Sequence, residues 1–155
     1  MSIMKIDYIV SEKSTADEAV SGYDMRTADY NDFTYSDIFF GEVTITDEST
    51  GKVFNIWVPI LDLAEEMYLI SRRIGTKPHC VYDFTTSGQK ILFDKEDDHI
   101  LISNDYQDGV IRSSLVVFNQ QVYMFLNDAL NDLLHLRPET NESPYIAKLK
   151  AMLKD

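Results

Sequence analysis

Between Val58 and Ile60 the hydrophobic period of the chain changes from 2 residues to about 3.6. Upstream, Phe39, Val43 and Ile45 share one face of a strand with Gly41 between them, and Glu42, Thr44 and Thr46 fall on the other face. Asp47-Glu48-Ser49-Thr50-Gly51-Lys52 is turn chemistry, and Gly51 can take a positive φ. Val53 to Val58 returns with Phe54, Ile56 and Val58 on one face. Pro59 ends that strand because it cannot donate to a ladder. Downstream, Ile60, Leu63, Ala64, Met67, Ile70 and Ile74 form a single helical stripe. Acids come early in that helix and Arg72 and Arg73 late, which suits the macrodipole. Gly75 is placed to cap it, with Pro78 just beyond.

The remaining segments follow the same logic. Residues 3 to 10 alternate and predict a strand. Residues 11 to 37 carry no usable period and predict a long loop, with room for a short helix near Ser14 to Val20. Cys80 to Phe84 suits a short strand, and Thr85 to Gly88 a turn. Ile91 to Phe93 and Ile100 to Ile102 flank Asp94-Lys95-Glu96-Asp97-Asp98, a hairpin with a charged tip. Asp105 to Gly109 is a further turn, followed by a strand from Val110 to about Val117. Phe118 to Leu136 reads as a long helix stopped by Pro138. Ser143-Pro144 starts a last helix over 144–154. The expected architecture is α+β in a single domain over 1–155. One antiparallel sheet of five to six strands carries an inserted amphipathic helix, and two C-terminal helices pack on it.

Charge narrows the partners. The chain has 26 Asp plus Glu against 14 Lys plus Arg, a formal charge of −12. That repels nucleic acid and anionic membranes and attracts a basic protein. The single cysteine, Cys80, permits no internal disulfide and fits a reducing compartment. The N-terminus has neither a signal nor a transit pattern, and no run approaches the roughly 20 apolar residues that span a bilayer. A cytoplasmic location is therefore expected. The common phosphate cradles, the nucleophile elbow and the usual zinc spacings are missing from the sequence, and no cofactor or metal is expected. Asp94, Glu96, Asp98 and Asp105 have a calcium-like spacing, but His99 stands where that loop needs glycine. Cys80 with a histidine could make a thiol nucleophile, although His79 beside it points to the opposite face of a strand. Trp57 reads as structural, and Asp62 and Glu66 as a solvated helix face.

Residues 23 to 37 interleave Tyr23, Tyr30, Phe33 and Tyr35 with Asp24, Asp29, Asp32 and Asp37. Tyrosine brings a large, stiff apolar area with a polar tip, and aspartate beside it steers a basic partner. Candidate partner-binding residues are Asp29, Tyr30, Asp32, Tyr35 and Asp37. Asp94, Glu96, Asp97, Asp98, Asp105 and Asp108 of the later turns complete the set. The alternative is that the rings fold inward over the sheet while the acids stay wet.

The runs IWVPILDLAEEMYLI (56–70), VYDFTTSGQKILFDKEDDHILIS (81–103) and VVFNQQVYMFLNDALNDLL (116–134) resemble, in layout, small bacterial immunity proteins of polymorphic-toxin and contact-dependent inhibition systems. The likeness covers about residues 53 to 136. It implies a non-catalytic, cytoplasmic inhibitor that binds one cognate toxin one-to-one. Many such toxins are nucleases with basic clefts, which an acidic inhibitor suits. Two rivals come from other classes: a small Cys/His-dependent hydrolase, and an adaptor or oligomeric accessory domain.

Overall fold

The computed structural model describes residues 3–83 and 88–154. Phe84 of the strand expected over Cys80 to Phe84, and Thr85 to Ser87 of the turn expected over Thr85 to Gly88, lie outside them. Among the described residues seven strands and five α-helices follow one another as β1 (Met4–Val10), α1 (Glu12–Thr15), α2 (Tyr30–Tyr35), β2 (Phe40–Asp47), β3 (Lys52–Pro59), α3 (Ile60–Arg73), β4 (His79–Asp83), β5 (Lys90–Glu96), β6 (His99–Asn104), β7 (Ile111–Ser114), α4 (Leu115–Leu136) and α5 (Pro144–Lys154). The fold is α+β with all strand pairs antiparallel. The strands do not form the single sheet of five to six that periodicity suggested. They form a three-stranded sheet, β1-β2-β3, and a four-stranded sheet, β4-β5-β6-β7. The helix α3 separates them in the chain, and each sheet closes on its own hairpins.

The β2–β3 turn forms as its residues demand. The Asp47 carboxylate accepts from Ser49 N at 3.0 Å and from Ser49 Oγ at 2.6 Å, and Gly51 takes φ +76°. In the first sheet Met4 and Ile6, Val43 and Ile45, and Phe54, Ile56 and Val58 point inward. In the second, Ile91, Phe93, Ile100, Ile102 and Ile111 do so. α3 and α4 pack on each other. α3 touches β2, β3 and β4, while α4 touches β1, β6 and β7. Every residue of the expected α3 stripe is buried, as are Phe118, Val122, Phe125, Leu126, Ala129, Leu130 and Leu133 of α4, and among the described residues the buried apolar side chains belong to one cluster.

Three boundaries differ from expectation. The β7 strand stops at Ser114, whose hydroxyl accepts from Val117 N at 3.2 Å and so caps α4. Leu115, Val116 and Val117, which look like strand, are therefore the first turn of a helix; the cap outweighs their β propensity. Strand β5 runs on through Asp94 to Glu96, leaving Asp97 and Asp98 alone as the turn, with Asp97 at φ +56°. Residues 11–37 are not a featureless loop. They hold α1, a 3-10 turn (Asp17–Val20) and α2. Ser14 is fully buried; its hydroxyl accepts from Phe40 N at 2.8 Å and donates to the Asp37 carbonyl. The Arg137 guanidinium reaches across to donate to the carbonyls of Ser14 and Ala16 at 3.2 and 2.8 Å. This segment lacks a period because side-chain bonds, rather than a repeating apolar face, hold it.

Gly41 faces Val10 in the β1–β2 register, and a Cβ there would lie 2.0 Å from the Ile9 carbonyl oxygen. Gly41→Ala is expected to cost about 1–3 kcal/mol, since backbone rather than a yielding side chain must move. Chemical denaturation should show a lower midpoint at unchanged slope. An unaltered midpoint would mean that β1 does not meet β2 in this register.

Candidate functional site

The acids and tyrosines of residues 29 to 37 divide between two roles. Asp29 accepts from Asp32 N at 3.1 Å, and Asp32 accepts from Asp29 N at 2.9 Å, a reciprocal capping box that starts α2. Changing either carboxylate perturbs that helix as well as any partner contact. Tyr30 turns inward: its hydroxyl donates to Asp62 Oδ1 at 2.5 Å, and its ring stands edge-on to Tyr145. Tyr35 turns out and is 63% exposed. With Tyr23, Lys13, Glu18 and Asp37 it lines an open cleft of about 530 Å³, where Asp37 pairs with Lys13 at 2.8 Å.

The later acids do not join them. Asp94 lies on β5 and bonds the His79 ring. Glu96 lies 3.4 Å from Arg112, and Asp98 lies 2.8 Å from His99. Asp105 accepts from Lys90 N at 2.9 Å, at the other end of the same hairpin, beside the turn that carries Asp108. The six residues of β6 separate the two groups by roughly 17 Å. The eleven nominated positions thus occupy three places. Among the described residues no group of three or more His, Cys, Asp or Glu is arranged to hold a metal ion.

The most exposed large apolar side chains of the first sheet lie elsewhere, on its outer face. In register across the three strands stand Ile9, Glu42 and Trp57. Ile9 is 72% and Trp57 58% exposed, and the Phe40 ring stacks on the indole at 6.4 Å between centroids. Trp57 is the only tryptophan, and it is not a core residue. The signal was present in the sequence: alternation puts Trp57 opposite Phe54, Ile56 and Val58, so burying those exposes it. On each edge of this sheet one backbone N–H is met by a glutamine side chain. On β1, Ile6 N donates to Gln121 Oε1 at 3.1 Å. On β3, Asn55 N donates to Gln107 Oε1 at 3.1 Å and Asn55 O accepts from Tyr106 at 3.4 Å.

Two further acidic features were not foreseen. Between β1 and α4 lies a cleft of about 530 Å³ lined by Asp7, Asp128 and Asp132, where Tyr8 bonds Asp132. On α3, Asp62 is buried rather than solvated, only 8% exposed, while Glu66, expected to share its solvated face, is half-buried and lies 2.7 Å from Arg73; Glu65 beside it is 6% exposed. Asp62 accepts from Tyr30 and, at 2.6 Å, from Tyr82. Glu65 accepts from Tyr145 at 2.9 Å and from Lys148 at 3.0 Å. Periodicity placed both acids outside the apolar stripe; only the arrival of α2, β4 and α5 over α3 supplied phenols to satisfy them.

Burial first, and then the neighbouring carboxylate, raises the phenol pKa of Tyr30, Tyr82 and Tyr145 well above the ordinary value near 10. Above about pH 10 the unfolded chain releases these protons and the folded chain keeps them, so stability falls as pH rises. Absorbance at 295 nm should show these phenols ionising only together with loss of the fold. Their ionisation in a chain that keeps its near-ultraviolet dichroism would contradict the network.

Cys80 is buried and its thiol donates to the Lys77 carbonyl at 3.3 Å. The neighbouring His79 ring lies on the exposed face of β4, held by Asp94, and the His99 ring is held by Asp98. No protein-family model matches this chain, and comparison with curated proteins and with solved structures gives no match. No helix among the described residues is long and apolar enough to cross a membrane.

Proposed function

We propose that this chain is a non-catalytic binding protein of the bacterial immunity type, which neutralises a basic, nuclease-type protein toxin in the cytoplasm by forming a one-to-one complex. The observation that carries the reading is the uncovered Ile9–Trp57 face on a chain of charge −12. A solvent-exposed tryptophan stacked on a phenylalanine is the composition of binding hot spots, and excess acid favours a cationic partner over nucleic acid. The clefts that hold Tyr35 with Asp37, and Asp7 with Asp128, extend acidic surface beyond that face. The cysteine chemistry of the rival hydrolase has little support in a thiol turned to a backbone carbonyl.

Co-expression of the product of the adjacent gene with this chain tests the reading. Restored growth, together with a stable one-to-one complex on size-exclusion chromatography with light scattering, is the expected result. Unrelieved toxicity with no complex would overturn it. Cys80→Ala should neutralise as well as the parent and cost about 1 kcal/mol in stability. Loss of protection by a Cys80→Ala protein that melts normally would shift the assignment to an enzyme.

A further inference from the structure

We infer that the outer face of the β1-β2-β3 sheet docks a partner surface carrying an apolar pocket for Trp57 bordered by an arginine or lysine opposite Glu42, and that it does not bind a second copy of this chain. The inference rests on the binding reading above and names the chemistry of the partner. Glu42 lies in register directly between Ile9 and Trp57 and is half-buried. Among the described residues no ion-pair or side-chain hydrogen-bond partner holds it. Neighbouring strands are about 5 Å apart, so any surface that covers both apolar groups must also dehydrate the carboxylate between them. Dehydrating an unpaired carboxylate is costly; a cation on the partner offsets that cost, and an uncharged or acidic partner leaves it standing. A second copy would set one Glu42 against another on two chains of charge −12.

Because Trp57 is the only tryptophan, its fluorescence reports this face alone. Three helical peptides serve as probes at physiological salt: a leucine stripe flanked by arginines, the same stripe flanked by glutamates, and an arginine-only chain. The leucine/arginine peptide should shift Trp57 emission to the blue and saturate, at least tenfold tighter than either other peptide. Glu42→Gln should weaken it at least threefold, and Glu42→Lys should reverse the preference in favour of the leucine/glutamate peptide. Asp98→Lys makes the same charge change at the β5–β6 turn of the other sheet and should leave the order intact. The inference falls if no peptide shifts the emission, if all three do so equally, or if Glu42→Lys and Asp98→Lys act alike. It also falls if sedimentation velocity shows a dimer whose formation itself shifts the emission. These outcomes are separate from toxin neutralisation. A protein whose Trp57 and Glu42 variants still protect cells retains the binding function but uses another surface.

Discussion

Asp62→Ala is expected to destabilise the protein by about 3 kcal/mol, which for a chain of this size lowers the melting temperature by roughly 6–12 °C. The carboxylate is 8% exposed and receives the Tyr30 and Tyr82 hydroxyls at 2.5 and 2.6 Å. Hydrogen bonds to a charged group contribute about 1.5–3 kcal/mol each, and an orphaned buried hydroxyl costs a further 1–3 kcal/mol. The values do not simply add, because Tyr30 is 39% exposed and its hydroxyl can turn to water, whereas Tyr82 is buried. Tyr82→Phe should therefore cost less, about 1–2 kcal/mol, and Asp62→Asn should fall between the two. Calorimetry on the three variants checks the order. An Asp62→Ala protein that melts with the parent would mean that Asp62 is a solvated helix acid after all, as its position outside the apolar stripe suggested.

Trp57→Ala is expected to weaken binding of the neutralised partner by about 2 kcal/mol or more, roughly thirtyfold in Kd, through faster dissociation. Its effect on stability should stay below about 1 kcal/mol, since the residue loses little beyond its stacking with Phe40. The two readouts separate the roles. A large fall in melting temperature with unchanged affinity in the folded fraction would make Trp57 a structural residue. Raising salt should slow association for parent and variant alike, because the field of the whole chain, not the indole, steers the encounter.

Much of the architecture was legible where the signal is local. The first hairpin, α3 and α5 have nearly their expected limits, since each is set by a period, a turn or a cap within a few residues. The start of α4 was misplaced because Leu115-Val116-Val117 favours strand by composition, and the deciding Ser114 hydroxyl acts through one bond. The site was less legible. Asp29, Tyr30, Asp32 and Tyr35 sit next to one another in sequence, yet two cap a helix, one points inward and one outward.

The sequence by itself determined which side chains share a face: Trp57 opposite Ile56, Gly41 with Val43, Asp62 beside the α3 stripe. Those relations come from the pitch of one strand or helix and need nothing beyond neighbouring residues. Tertiary structure alone decided which faces are covered. α3 and α4 both lie on the inner side of the first sheet, leaving Ile9 and Trp57 in water. Tyr30, Tyr82 and Tyr145 come from far along the chain to close over Asp62 and Glu65. Burial is a property of what arrives from elsewhere, and no local period encodes the arrival.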